Sequence, residues 1–234
     1  CNTTYNEPNL LVTLTGPIDC TNNGVVQFLG QDQVLDCGGN TITDTGTNDV
    51  LILAGGTSVL NCILEAGPGD GIRIDESMAD SGSTGVYALD NVMVSGARDE
   101  GLDMSDFLNT NSTVTITNSD FSNNFVTGVL LSNPALSTGQ SLDLVFDNVT
   151  ANNSSETNVA LRTVFGNVSV TISDLEASSS QNGDGLVLGV SNIGMGSIQA
   201  TLDGVTANSN DANGLETSGS DGVITISNSE FCDN

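Results

Sequence analysis

Residues 101–131 read GLDMSDFLNTNSTVTITNSDFSNNFVTGVLL, one whole unit of the pattern that the chain repeats. Gly101 is followed by the apolar pair Leu102 and Met104, a polar loop, an alternating β-run, Asn118, the aromatic Phe121, an Asn/Ser turn and a second glycine, Gly128. Laid over the rest of the chain, the unit gives a glycine column of Gly71, Gly101, Gly128, Asn158, Gly185 and Gly214, spaced by 30, 27, 30, 27 and 29 residues. Asn is the residue after glycine that best tolerates positive φ, so this column reads as a left-handed turn position. A second column holds Asn91, Asn118, Asn148, Asp174, Gly204 and Asn228, each two places after an apolar residue: Leu89, Ile116, Phe146, Ile172, Leu202 and Ile226. LDCGG at 35–39 and LNCIL at 60–64 enter the same frame with Cys37 and Cys62 in the Asn column, making about eight coils.

A period in the twenties, with short strands and no helical pattern, means a solenoid whose coils bury their apolar side only against their neighbours. The LxxLxLxxN spacing of leucine-rich repeats does not recur. Several strands per unit, separated by Gly/Asn/Ser/Asp turns, match a parallel β-helix. The repeated GL-x-L/I and N-x-x-F/V elements and the opening LDCGGNTIT at 35–43 resemble right-handed parallel β-helix proteins of the pectin-lyase-like group, over roughly residues 10–234. The resemblance implies an all-β, single-domain, right-handed parallel β-helix, with residues 1–23 as an N-terminal cap segment and 24–234 as the helix. It implies no activity, because that group spans lyases, hydrolases, epimerases, adhesins and non-catalytic shafts.

Twenty-nine acids face three bases, Arg73, Arg98 and Arg162, with no Lys or His, for a net charge of −26. Nucleic acid and anionic lipid are disfavoured as partners, since both are bound through Lys and Arg. Self-repulsion of this size asks for screening cations, from a saline setting or bound Ca²⁺. GPGDG and NGDG are ordinary Asp-Gly turns outside any nine-residue calcium register, so no cofactor is expected beyond weak, incidental Ca²⁺ binding. No stretch is apolar enough to insert into a membrane, and no signal peptide is visible. Five cysteines without a CxxC or a His partner indicate disulfides, hence secretion to the extracellular space or cell surface. Sequons at Asn2, Asn111, Asn148, Asn152, Asn153 and Asn167 mark candidates for covalent N-glycans.

Cys37 is within reach of either Cys20 or Cys62, because stacked coils lie about 4.8 Å apart. The resemblance favours Cys20–Cys37. Cys1 and Cys232 fall at opposite ends of a rod of about 35–40 Å, too far apart to pair within one rod, but placed to link rods stacked head to tail.

Alternation puts Leu144, Phe146, Val170, Ile172, Leu202, Ile224 and Ile226 inside. Asn91, Asn118, Asn148 and Asn228 are expected to form an inward amide ladder at a bend. Arg73 and Asp103 share a column on successive turns and are expected to form a stacked ion pair. The longer loops are expected at 132–141 and 152–157.

The one constellation with catalytic potential is Arg73 or Arg98 beside Asp70, Asp75, Asp99 and Asp103, with Asp99, Glu100, Asp103 and Asp106 as carboxylate pairs for an inverting hydrolase. So many acids on a β-surface produce such pairs by accident, and the GHG, RIK and DPHD elements of the group's enzymes are missing. No catalytic residue is assigned. The expectation is a non-enzymatic, glycosylated rod or a homo-polymer built by end-to-end stacking. A surface glycan- or protein-binding module is the alternative, with a polysaccharide lyase or hydrolase behind it.

Overall fold

The computed structural model describes residues 2–20, 24–78, 85–106, 111–132, 141–163, 166–190, 197–219 and 222–234. The repeat unit becomes one coil carrying two strands, and the coils stack into a parallel β-solenoid of about seven turns, close to the eight counted from sequence signatures. A nine-stranded sheet runs from Thr3–Tyr5 to Leu215–Ser218, and an eleven-stranded sheet contains the ladder from Leu11–Thr13 to Gly222–Ser227. Strands Thr3–Tyr5, Leu11–Thr13 and Ile18–Asp19, all within residues 1–23, already pair with Val26–Phe28, Val34–Asp36 and Thr41–Thr43 of the following coil. The only helical turn among the described residues is Glu76–Met78.

Every ladder is parallel, because each strand meets its counterpart one coil later. Leu89, Ile116, Phe146, Ile172, Leu202 and Ile226 are consecutive register partners. Ile72, Leu102, Val129, Val159, Leu186 and Leu215, each one place after the glycine column, form the matching stack in the other sheet. β-branched and aromatic residues at alternate positions suit this half-buried pleat. Phe28, Phe121, Phe146 and Tyr87 fill the axis, and each fully buried apolar side chain adds about 1.5–3 kcal/mol relative to exposure.

The two columns exchange their physical reasons. The glycine column is not left-handed; positive φ belongs to the other column, at Asn61 (53°), Asn91 (55°), Asn118 (50°), Asn148 (55°), Asp174 (55°), Gly204 (68°) and Asn228 (49°). Glycine is required in its own column for lack of space. A Cβ on Gly128 would sit 2.7 Å from the Asn158 carbonyl oxygen and 2.9 Å from that of Phe121. The LNCIL repeat also shifts by one place: Asn61 takes the left-handed position, and Cys62 is the register partner of Val92, facing the core.

The expected burial of the final strand is corrected. Ile226 is exposed and Ile224 only half-buried, although every Ile226 counterpart on earlier coils is buried. Strand Gly222–Ser227 pairs with Ser197–Asp203 on one side only, so the coil that would cover its inner face is not among the described residues.

Candidate functional site

One turn edge carries most of the polar chemistry. It is built from residues 96–100, 123–127, 153–157, 181–184 and 210–213, which stack coil on coil through Phe125 N to Ala97 O (2.7 Å), Ser155 N to Phe125 O (3.1 Å) and Glu156 N to Val126 O (3.0 Å). Buried amides organise it. Asn124 accepts from Ala97 N at 3.1 Å and donates to Phe121 O at 2.8 Å and Val94 O at 3.3 Å. Asn158 accepts from Ser154 N at 3.0 Å and donates to Ser178 O at 2.9 Å and Asn210 Oδ1 at 3.1 Å. Asn210 accepts from Ser180 N at 2.9 Å. The column glycines make room for these amides: a Cβ on Gly185 would lie 2.7 Å from Asn210 Nδ2, and one on Gly214 would lie 2.7 Å from Asn234 Nδ2.

An inward amide ladder therefore exists, but on Asn124, Asn158 and Asn210. The expected set is exposed. Asn91 donates to Asn61 Oδ1 at 2.9 Å, Asn148 to Asn118 Oδ1 at 3.0 Å, Asn118 to Asp90 Oδ1 at 2.9 Å and Asn228 to Asp203 Oδ1 at 2.7 Å. Left-handed backbone turns these side chains out to water. The buried set could have been suspected from the Asn158 that replaces glycine and from the Asn-Asn pair at 123–124.

Carboxylates gather beside the glycine column. Asp70 N donates to Asp49 Oδ1 at 3.0 Å, Glu100 N donates to Asp70 Oδ1 at 3.0 Å, and Asn213 N donates to Asp184 Oδ1 at 2.9 Å. Each carboxylate thus receives a backbone amide from the next coil. Burial, with the nearby charges of Asp49 and Asp103, pushes the Asp70 carboxyl up to about 8, and burial also raises Glu100 and Asp49. A side-chain hydrogen bond links Asp70 to Glu100 and favours the protonated form of Asp70.

Oxygens of Asp70, Asp99 and Glu100 lie within 4.8 Å of one another. Elsewhere, Asp44 is fully buried and its Oδ2 has no hydrogen-bond partner; nothing in the structure explains that oxygen.

The constellation with catalytic potential divides. Arg73 is the register partner of Asp103, as expected, but its recorded ion pair is with Asp75, at 3.8 Å. Asp103 Oδ1 accepts from Ser105 N at 3.0 Å and Ser105 Oγ at 2.6 Å, and Asp75 Oδ1 is held likewise by Ser77. Arg98 lines a separate open groove of about 410 Å³ with Asn123, Phe125, Asn153, Ser155 and Gln181. Phe125 is 64% exposed there. The side chain of Asp106 lies outside the described residues.

Another groove, of about 340 Å³, opens at Asn148, Asp174, Glu176, Gly204 and Thr206. The exposed ladder loses its amides at Asp174 and Gly204.

The disulfide is Cys37–Cys62, with Cα atoms 4.8 Å apart, and the expected Cys20–Cys37 pairing is overturned. Cys37 and Cys62 are both buried and lie on successive coils. Cys20 is disulfide-bonded too. Closing a loop of 25 residues stabilises by about 3–4 kcal/mol, and such bonds persist in oxidising settings. Cys232 is exposed and free, and its hydrogen bond to Glu230 raises the thiol to about 11. Cys1 lies outside the described residues, as do the core positions 133–140 of the loop expected at 132–141. Of the sequon asparagines, Asn2, Asn111, Asn148, Asn153 and Asn167 are exposed and Asn152 is half-buried.

No family model, curated protein or solved structure matches this chain. The parallel β-solenoid stands on its own geometry. No helix among the described residues is long and apolar enough to cross a membrane.

Proposed function

We propose that this chain is an extracellular structural rod, glycosylated on its flank, whose copies stack end to end. The observation that supports the reading is the apolar face of strand Gly222–Ser227. Val223 is 66% and Ile226 47% exposed on strand Gly222–Ser227, which is bonded on one side only. Strand Leu11–Thr13 likewise has one bonded neighbour, and Leu11 is 64% exposed. Unpaired backbone beside apolar side chains is the combination that recruits a further strand.

A second copy satisfies both faces with the parallel geometry already in use, and such a heterologous contact grows into a fibre. The net charge of −26 keeps rods apart laterally. Backbone pairing carries the stack, and the exposed, free thiol of Cys232 is available for a further link between rods.

Negative-stain microscopy and sedimentation test this. Single-rod-wide filaments are expected at physiological salt, shortened by Val223→Asp with Ile226→Asp. A monomer at every concentration overturns stacking, as does native material whose polypeptide supplies the covering coil itself.

A second reading has its own observation, the exposed Phe125 among the amides of Asn123, Asn153 and Gln181. An aromatic face with neighbouring amides suits a neutral sugar, and the acidic surface repels an anionic one. Retention on a glycan array, abolished by Phe125→Ala, is the expected result; no retention removes the reading.

A further inference from the structure

We infer that, of the six sequons, Asn111 and Asn167 are the pair that carries glycan, forming a two-sugar stripe on one edge of the rod. This rests on the extracellular reading above and adds which atoms are modified. Asn167 opens strand Asn167–Glu176, and Asn111 immediately precedes strand Ser112–Asp120. Both sit at the start of the long sheet's strands. Asn111 Oδ1 accepts from Ser141 N at 3.1 Å and Ser141 Oγ at 3.3 Å. Ser141 is the register partner of Asn167, whose own Oδ1 accepts from Ser197 Oγ at 2.8 Å. Asn111, Ser141, Asn167 and Ser197 therefore stack as one column, with the two asparagines two coils, or about 10 Å, apart.

In both residues the neighbouring coil holds the amide by its oxygen. The nitrogen, on the opposite edge of the planar amide, makes no hydrogen bond among the described residues, and both side chains are exposed. The Asn167 sequon also has an exposed hydroxyl at Ser169.

The remaining sequons differ in what the fold does with them. Asn148 Nδ2 donates to Asn118 inside the exposed ladder, and Asn153 Nδ2 points at Asn123 Oδ1, 3.4 Å away. Asn152 is half-buried, its oxygen accepts from Ser178 N, and its sequon hydroxyl, Ser154, is fully buried. Asn2 accepts from Val25 N through its Oδ1 at 3.4 Å, and no sequon asparagine stands in register with it on the next coil.

The chemistry is transfer from a donor sugar activated at C1 by pyrophosphate. The Asn Nδ2–C1 bond forms, the C1–O bond to pyrophosphate breaks, and the amide proton passes to a base of the transferase. Transfer accompanies folding, so the fold decides which products survive: a bulky group is tolerated on a nitrogen that faces water and already has its oxygen anchored. A sugar on Asn148 displaces a ladder donor between two coils.

Mapping glycan sites on native material tests the pair. Enzymatic deglycosylation in isotopically heavy water turns each occupied asparagine into a labelled aspartate, read by peptide mass spectrometry. Label at Asn111 and Asn167, with none at Asn148 or Asn152, is expected. Bare Asn111 or Asn167, or label at Asn148, overturns the inference. The same mapping on protein forced through a glycosylating secretory pathway locates the fault: label there but not natively sinks the extracellular reading, whereas no label in either sinks the edge geometry. Asn111→Gln with Asn167→Gln should retain the fold by circular dichroism and lose the mass of both glycans.

Discussion

Two turn edges of this solenoid use asparagine in opposite ways. Where Asn61, Asn91, Asn118 and Asn148 stand, the backbone is left-handed, the side chains are exposed except for the half-buried Asn61, and the amides bond sideways from coil to coil. Where Asn124, Asn158 and Asn210 stand, the side chains are buried and serve the backbone of adjoining turns. The carboxylates divide in the same way. Beside the exposed edge, hydrogen bonds from Asn61 hold Asp36 below the usual range, Thr117 and Asn118 do so for Asp90, and Asn228 and Ser227 for Asp203. Beside the buried edge, loss of water raises Asp49, Asp70 and Glu100. One edge asks a residue for its backbone, the other for its side chain.

Substitutions can break that contrast. The largest effect is expected from Gly101→Ala, whose Cβ would lie 2.6 Å from the Gly128 carbonyl oxygen and press on the Asn124 amide; a loss of roughly 3 kcal/mol in chemical denaturation is expected. Asn124→Ala strands Ala97 N and two carbonyls, costing about 2–3 kcal/mol, and Asn124→Gly should be no milder. A Gly variant as stable as wild type would mean the amide is not needed.

Asp70 gives the edges opposite pH signatures. Its pKa is about 8 folded against 3.8 for the free side chain, so the folded state binds the extra proton between those values. Its contribution is complete below about pH 4 and is lost as pH rises towards 8. Asp70→Asn should flatten that part of the melting-temperature profile and stabilise the protein at pH 8, on the order of 2 kcal/mol. An unchanged slope would show that Asp70 is ionised. Asp36, Asp90 and Asp203, with lowered values, act in reverse: their contribution is lost as pH falls through their folded pKa.

The smallest effects belong to the exposed ladder. Asn118→Ala should cost about 1 kcal/mol, through the left-handed backbone, and Asn118→Gly less, because glycine accepts that φ. Equal costs would mean that the lost hydrogen bonds, not the backbone, set the price.

From Leu89 onward the register was legible in the sequence to the residue. The column from Leu89 to Ile226 and the residues after each column glycine are the pairs that the ladders form. Recurrence reveals which residues become neighbours, but it carries no sign of φ and no direction for a side chain. Glycine and asparagine both serve left-handed turns, so Gly101 was read as a backbone signal when its missing Cβ was the point. Cys62 lay one place from the position assigned to it because Asn61 looks identical as a column member. Ile224 and Ile226 follow the apolar pattern, but burial requires a covering neighbour, which no local pattern encodes. The proton of Asp70 depends on desolvation by other coils, and nothing near Asp70 in the chain announces it.

The gap in the exposed ladder at Asp174 and Gly204 has a mechanical consequence. Each coil of a solenoid is secured by the two it touches, so a tensile load along the axis tests the joints one by one. On this edge the joints at Asn91 and Asn148 resist with an amide–amide bond added to the backbone ladder, whereas those flanking Asp174 lack one and rely on side-chain bonds elsewhere on the coil, such as Ser197 to Asn167. All joints carry the same load, so this edge is expected to open first where the amide ladder is interrupted, away from the disulfide-locked coils.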